Sequence, residues 1–124
     1  FRDLIETHGL TGCEFAPVIH RKNGGIVPDM FQLIVTNFLP DIAPEFKREI
    51  IRCDQCGTQV LIRRDWQFVY HKTILENAKD FNYTKEFFSV TYPSHELIIS
   101  QRLYRLIKEH KIKGPVCVPV KLID

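Results

Sequence analysis

Cys53-Asp54-Gln55-Cys56-Gly57 is the one compact stretch whose residue types and spacing suit a definite chemistry. Two residues between the cysteines let both thiolates turn toward one metal ion, and a following glycine can take the left-handed backbone of a tight turn. A redox pair would instead place its first cysteine at a helix N-terminus, where the thiol pKa falls. Here the β-forming run Thr58 to Arg63 follows. The stretch therefore reads as a structural zinc knuckle with Cys53 and Cys56 as ligands. Such a site takes four ligands, and the second pair expected about 15 to 20 residues further on is missing. His71 stands alone downstream as a further ligand candidate. Cys13, Cys117, His20 and His95 could join only through the tertiary fold. Cys13 and Cys117 lie in apolar runs that read as strands, where a free buried cysteine is ordinary. Structural Zn2+ is the cofactor implied, with an incomplete ligand set in this chain.

The remaining reactive side chains favour plainer readings. His8 and His110 fall on the apolar sides of two helical stretches and read as core histidines. Glu45, Lys47, Arg48 and Glu49 form a mixed charge run that reads as a solvated face. Trp66, Phe68 and Tyr70 alternate, as an aromatic binding platform would or as one face of a packed hairpin would. There is no Gly-rich phosphate loop, no His-Glu-x-x-His helix and no Gly-x-Ser-x-Gly elbow. The expectation is a protein without catalysis, with no catalytic and no cofactor-binding residues beyond the metal pair.

The elements that must position the cysteines are best marked near the C-terminus. Glu96 to Ile123 reads as strand, helix, strand. Ser100 is placed to cap the helix, Leu103, Leu106 and Ile107 recur on one face, and Gly114-Pro115 stops it before a second β-rich run. The same pattern opens the chain. Arg2–Ile19 laid on Tyr104–Lys121 matches Leu4, Ile5, His8, Gly12, Pro17 and Val18 with Leu106, Ile107, His110, Gly114, Pro119 and Val120. This is either a degenerate duplication or the common form of a short helix ending at glycine before a strand. Between these units the expectations are a helix over Phe1 to His8, a strand over Cys13 to Ile19, a turn at Asn23-Gly24-Gly25 and a central strand from Met30 to Asn37. A loop carrying Pro40 and Pro44 then leads to a short strand at Ile50-Ile51. Thr58 to Arg63 and Trp66 to Tyr70 read as two strands turning at Arg64-Asp65, and His71 to Lys79 as a helical turn. Phe81 to Thr91 is either extended or a short helix capped by Thr84.

With 124 residues, the chain is expected to form one domain, 1–124. No apolar run approaches the roughly 20 residues of a membrane span. The net charge is +2, with basic and acidic residues mixed throughout, so the sequence lacks the electrostatic footprint of a nucleic-acid binder. Four cysteines are too few for a disulfide scaffold, and their Cys-x-x-Cys spacing fits a reducing compartment, the cytoplasm. The chain opens at Phe1, part-way into a helix, and residues are expected to precede it. The oligomeric state is not written in the sequence.

The chain resembles the double-CxxCG motif family of bacterial proteins, of myxobacterial type, which is related to immunity proteins of polymorphic toxin systems. The residues that carry the resemblance are His8-Gly9-Leu10-Thr11-Gly12 before Phe15-Ala16-Pro17-Val18, and then Cys53-Asp54-Gln55-Cys56-Gly57. Lys79-Asp80-Phe81 with Thr84 follows, and Ile98-Ile99-Ser100-Gln101-Arg102 leads through Gly114 to Pro119-Val120. The family's first Cys-x-x-Cys, which would supply the other two ligands from ahead of the first helix, is absent here. The resemblance implies a small cytoplasmic immunity protein that binds and neutralises a cognate protein toxin. The alternative is a zinc-ribbon-like nucleic-acid-binding or adaptor module. The expected fold is α+β: a mostly antiparallel sheet with helices near both termini packed on it and the CxxCG knuckle between strands. The terminal units would be scaffold, leaving the partner surface to the central loops and hairpin.

Overall fold

Ser100 caps a helix as its position foretells: its Oγ accepts the Leu103 N–H at 3.1 Å, and helix α2 runs over Gln101–Glu109. Three of its apolar side chains, Leu103, Leu106 and Ile107, are buried against Ile5 of helix α1 (Arg2–Thr7), Leu10, Val35 and Phe81. The two helices thus share one core, although they lie at opposite ends of the chain. This computed structural model describes residues 1–46, 49–62, 67–89 and 91–124.

Both helices end in the same way. After α1, the N–H of Gly9 reaches Glu6 O and that of Leu10 reaches Ile5 O; after α2, Lys111 reaches Lys108 O and Ile112 reaches Ile107 O. This is the Schellman arrangement, in which a left-handed residue turns the chain back over the last carbonyls. Gly9 supplies it with φ +58° and Lys111, a non-glycine, with φ +50°. The echo between the two ends is therefore an echo of helix endings. Beyond them the paths part: strand β1 (Cys13–Ile19) follows α1 directly, whereas after α2 there is no strand until β9 (Lys121–Ile123). The expected second strand shrinks to those residues, and Cys117, expected to be buried in it, is exposed. His8 and His110 are the C-terminal cap residues and are exposed, contrary to the core reading. At a helix end the chain is already leaving the buried face, and the two rings meet each other edge-on at 6.4 Å instead.

The fold is mixed α+β, and its strands form four small sheets among the described residues where the sequence reads as one. Strand β2 (Ile26–Val35) pairs antiparallel with β1, from Cys13↔Val35 to Ile19↔Ile26, with an irregularity at Pro17, which cannot donate to the ladder. β2 is not the central buried strand expected, because it pairs with β1 alone and buries only Val35. Strand β3 (Glu49–Arg52) pairs antiparallel with β4 (Gln59–Ile62), which also takes β7 (Phe87–Phe88) in parallel. Strand β5 (Val69–His71) pairs in parallel with β9, and β6 (Phe81–Tyr83) antiparallel with β8 (Leu97–Ile99). A hairpin of β4 with β5 is thus replaced by partners far along the chain; Arg63, Arg64, Asp65 and Trp66 lie outside the described residues, as do Lys47 and Arg48.

A second core gathers Leu39, Ile42, Leu61, Phe68, Tyr70, Ile74 and Phe88. Phe68 and Phe88 meet edge to face at 5.2 Å, and Tyr70 is fully buried, so neither Phe68 nor Tyr70 offers a binding platform. The proline-bearing loop contributes Leu39, Ile42 and Ala43 to the interior. His71 is followed by a 3-10 turn over Lys72–Glu76, as expected. Thr84 caps no helix: its buried Oγ1 donates to Glu86 O at 3.0 Å and accepts the Glu96 N–H at 2.9 Å, holding an extended chain. No helix among the described residues is long and apolar enough to cross a membrane.

Candidate functional site

The two cysteines of the motif form the turn of the β3–β4 hairpin. The Cys53 N–H reaches Thr58 O and the Gly57 N–H reaches Cys53 O, both at 2.9 Å, and Gly57 has φ +72° with open space where a side chain would stand. A glycine is suited here by its backbone angle rather than by crowding. Both thiols are exposed. The Cys56 thiol donates to the Thr58 hydroxyl at 3.1 Å, a bond whose direction reverses when the sulfur is ionised. That hydroxyl, then the Thr58 N–H, the Cys53 thiol and the Cys56 N–H, bring the Cys56 thiol down to about 7. A cysteine at that value is about half thiolate at neutral pH, the form that binds metal.

The other candidate ligands stay apart. Among the described residues no three His, Cys, Asp or Glu side chains gather as a metal site. His71, expected as a further ligand, sits at the end of β5 with its Nδ1 3.2 Å from Asp124 O and its Nε2 3.7 Å from Glu45. The parallel pairing of β5 with β9 commits it to the C-terminal residue. His20 accepts the Lys22 N–H at 3.3 Å within its own turn. His95 lies between the rings of Tyr83 and Phe87, at 5.8 and 4.2 Å, with Phe38 edge-on at 5.0 Å. Cys13 is half-buried on β1, where burial and then the charge of Asp80 push its thiol up, the opposite of Cys56. Cys117 borders a small hollow of about 80 Å³ beside α2, lined also by Tyr104, Ile107 and Lys108.

A densely bonded polar group among the described residues is Asp80, which the sequence did not single out as a site residue. Asp80 is 5% exposed. Its Oδ2 accepts the Thr11 N–H at 2.8 Å, the Thr11 hydroxyl at 3.2 Å and Arg102 Nη2 at 2.5 Å; its Oδ1 accepts Ser100 Oγ at 2.6 Å and Arg102 Nε at 3.2 Å. Burial alone would push the carboxyl up, but the bonds from Arg102, Ser100 and Thr11 outweigh it and hold it well below the usual carboxylate range. Gly12 completes the junction: a Cβ there would meet Phe81 O at 2.2 Å. Asn82 does the same work two residues on, its Oδ1 accepting from Lys79 N and Asn37 Nδ2 and its Nδ2 donating to Lys79 O and Ile98 O. Thr11-Gly12, Asp80 and Ser100-Arg102, from three separate parts of the chain, meet here.

Comparison with protein-family models, with curated proteins and with solved structures finds no match for this chain.

Proposed function

We propose that this protein acts by binding another protein, as an immunity protein that neutralises a cognate toxin in the cytoplasm, and that the Cys53 to Gly57 turn is a metal knuckle. The observation that carries the binding role is the placement of apolar surface. Ile19, Ile26 and Met30 on the β1–β2 hairpin are 61%, 68% and 55% exposed. Ile19 and Ile26 stand opposite each other across the hairpin. Single exposed apolar residues are ordinary, but a set spread over one hairpin offers the desolvatable centre an interface needs. His20, Arg21 and Lys22 at the hairpin turn would form a polar rim. The donor chemistry fits zinc with two of four ligands, Cys53 and Cys56, and a bound ion would hold the turn closed without taking part in a reaction.

The test is co-expression with the product of the neighbouring reading frame. The expected outcome is rescued growth, a 1:1 complex, and at least about tenfold weaker binding when Ile19 and Ile26 are replaced by Asp. A neighbour with no toxin-like product, together with protection from nothing, overturns the reading. Salt-sensitive association with nucleic acid would favour the zinc-ribbon alternative.

A further inference from the structure

We infer that the Cys53–Cys56 turn is half of an intermolecular zinc site, completed by the same two cysteines of a second copy of this chain. The inference rests on the metal reading above and adds the source of the missing ligands.

The hairpin presents both sulfurs outward at its tip. Cys53 and Cys56 are exposed, and the space beside Gly57 is open, so the pair can be approached from outside. The backbone of the turn is already closed by its two 2.9 Å bonds before any metal arrives. The described residues bring no third His, Cys, Asp or Glu to them. Among the described residues the ligand set is thus the two thiols of one turn, and zinc held by sulfur takes four. A second copy offers the one pair certain to match: a two-fold axis through the ion makes the two halves identical and closes the assembly at a dimer.

The rest of the arm suits that approach. Ile50 and Ile51, on opposite faces of β3 next to the thiols, are both exposed, and two arms meeting at their tips have apolar surface to cover. Four thiolates around Zn2+ leave a net charge of about −2. Arg52 and Asp54, exposed on either side of Cys53, bring one charge of each sign from each copy and leave that balance unchanged. On assembly four thiols release four protons and form four Zn–S bonds.

The experiment is a zinc titration of the reduced full chain, followed by sedimentation velocity and by metal analysis after gel filtration, with Co2+ as a spectroscopic substitute that reports the number of thiolates. The expected result is one zinc per two chains, a doubling of mass that EDTA reverses, and a four-thiolate cobalt spectrum. Cys53→Ser and Cys56→Ser should each weaken zinc-driven dimerisation at least about tenfold. Cys117→Ser should leave it unchanged, and an unaltered circular dichroism spectrum confirms that each variant folds. One zinc per monomer with four sulfurs places the missing ligands elsewhere in the same chain, which overturns the inference and leaves the metal reading intact. No zinc retained overturns both, and neither result bears on protection from a toxin.

Discussion

Asp80 and Cys56 are both ringed by hydrogen-bond donors, and both are held toward their charged forms, yet they are built for opposite ends. Asp80 is buried where segments from three distant parts of the chain meet, and its donors come from residues 69 and 20 positions away. Cys56 is exposed on one hairpin, and its donors lie within a few residues of it. A buried carboxylate that already accepts five hydrogen bonds joins elements and has little capacity left for a ligand. An exposed sulfur stabilised as thiolate keeps its lone pairs for something arriving from outside. The difference separates scaffold from site more clearly than residue type does.

Glycine substitutions break this comparison most severely. Gly12→Ala must place a methyl against Phe81 O and Lys79 Cβ as well as at φ +90°, and should cost about 3 kcal/mol in urea unfolding. Gly57→Ala meets open space and suffers only its left-handed backbone, about 1 kcal/mol. Equal effects would mean that the Asp80 junction is not the tighter of the two.

Next in size is Asp80→Asn, which should destabilise the fold by about 2 kcal/mol at neutral pH, since charge-assisted bonds to a buried carboxylate are lost. The folded pKa of Asp80 lies below its unfolded value of about 3.9, so its contribution is complete above that pH and declines as pH falls below it. The variant should flatten the dependence of stability on acid in that window, and an unchanged slope would remove Asp80 from its central place.

The smallest effect tests the thiol. Thr58→Val removes the hydroxyl at 3.1 Å from Cys56 and should leave stability within about 0.5 kcal/mol. It should also move the midpoint of Cys56 alkylation upward from about 7 toward the ordinary thiol value of about 8.5. A midpoint that does not move would assign the lowered pKa to the backbone donors and the Cys53 thiol.

Local features of the fold were the legible ones. The Ser100 cap, the buried face of α2, the extent of β1 and the Asn23-Gly24-Gly25 turn depend on residues within a few positions of one another, and each follows from those residues. His8, His110 and Cys117 went the other way, because periodicity describes an ideal helix or strand and cannot show where its end leaves the core. The apolar run in β2 promised burial that a two-stranded sheet cannot supply. The parallel pairings of β4 with β7 and β5 with β9 were invisible for the related reason that no turn signal links such partners.

For the candidate site, the amino-acid order by itself determined that Cys53 and Cys56 can share a metal, since the two-residue spacing and Gly57 act within one turn. Only the tertiary structure decided that His71 is drawn to the C-terminus, that Cys13 and Cys117 lie elsewhere, and that the pair stands exposed at a hairpin tip. It alone also joined Thr11, Asp80, Ser100 and Arg102. A turn is settled by the conformational preferences of its own residues, whereas a buried carboxylate finds its donors only when the burial of apolar side chains has brought remote segments together.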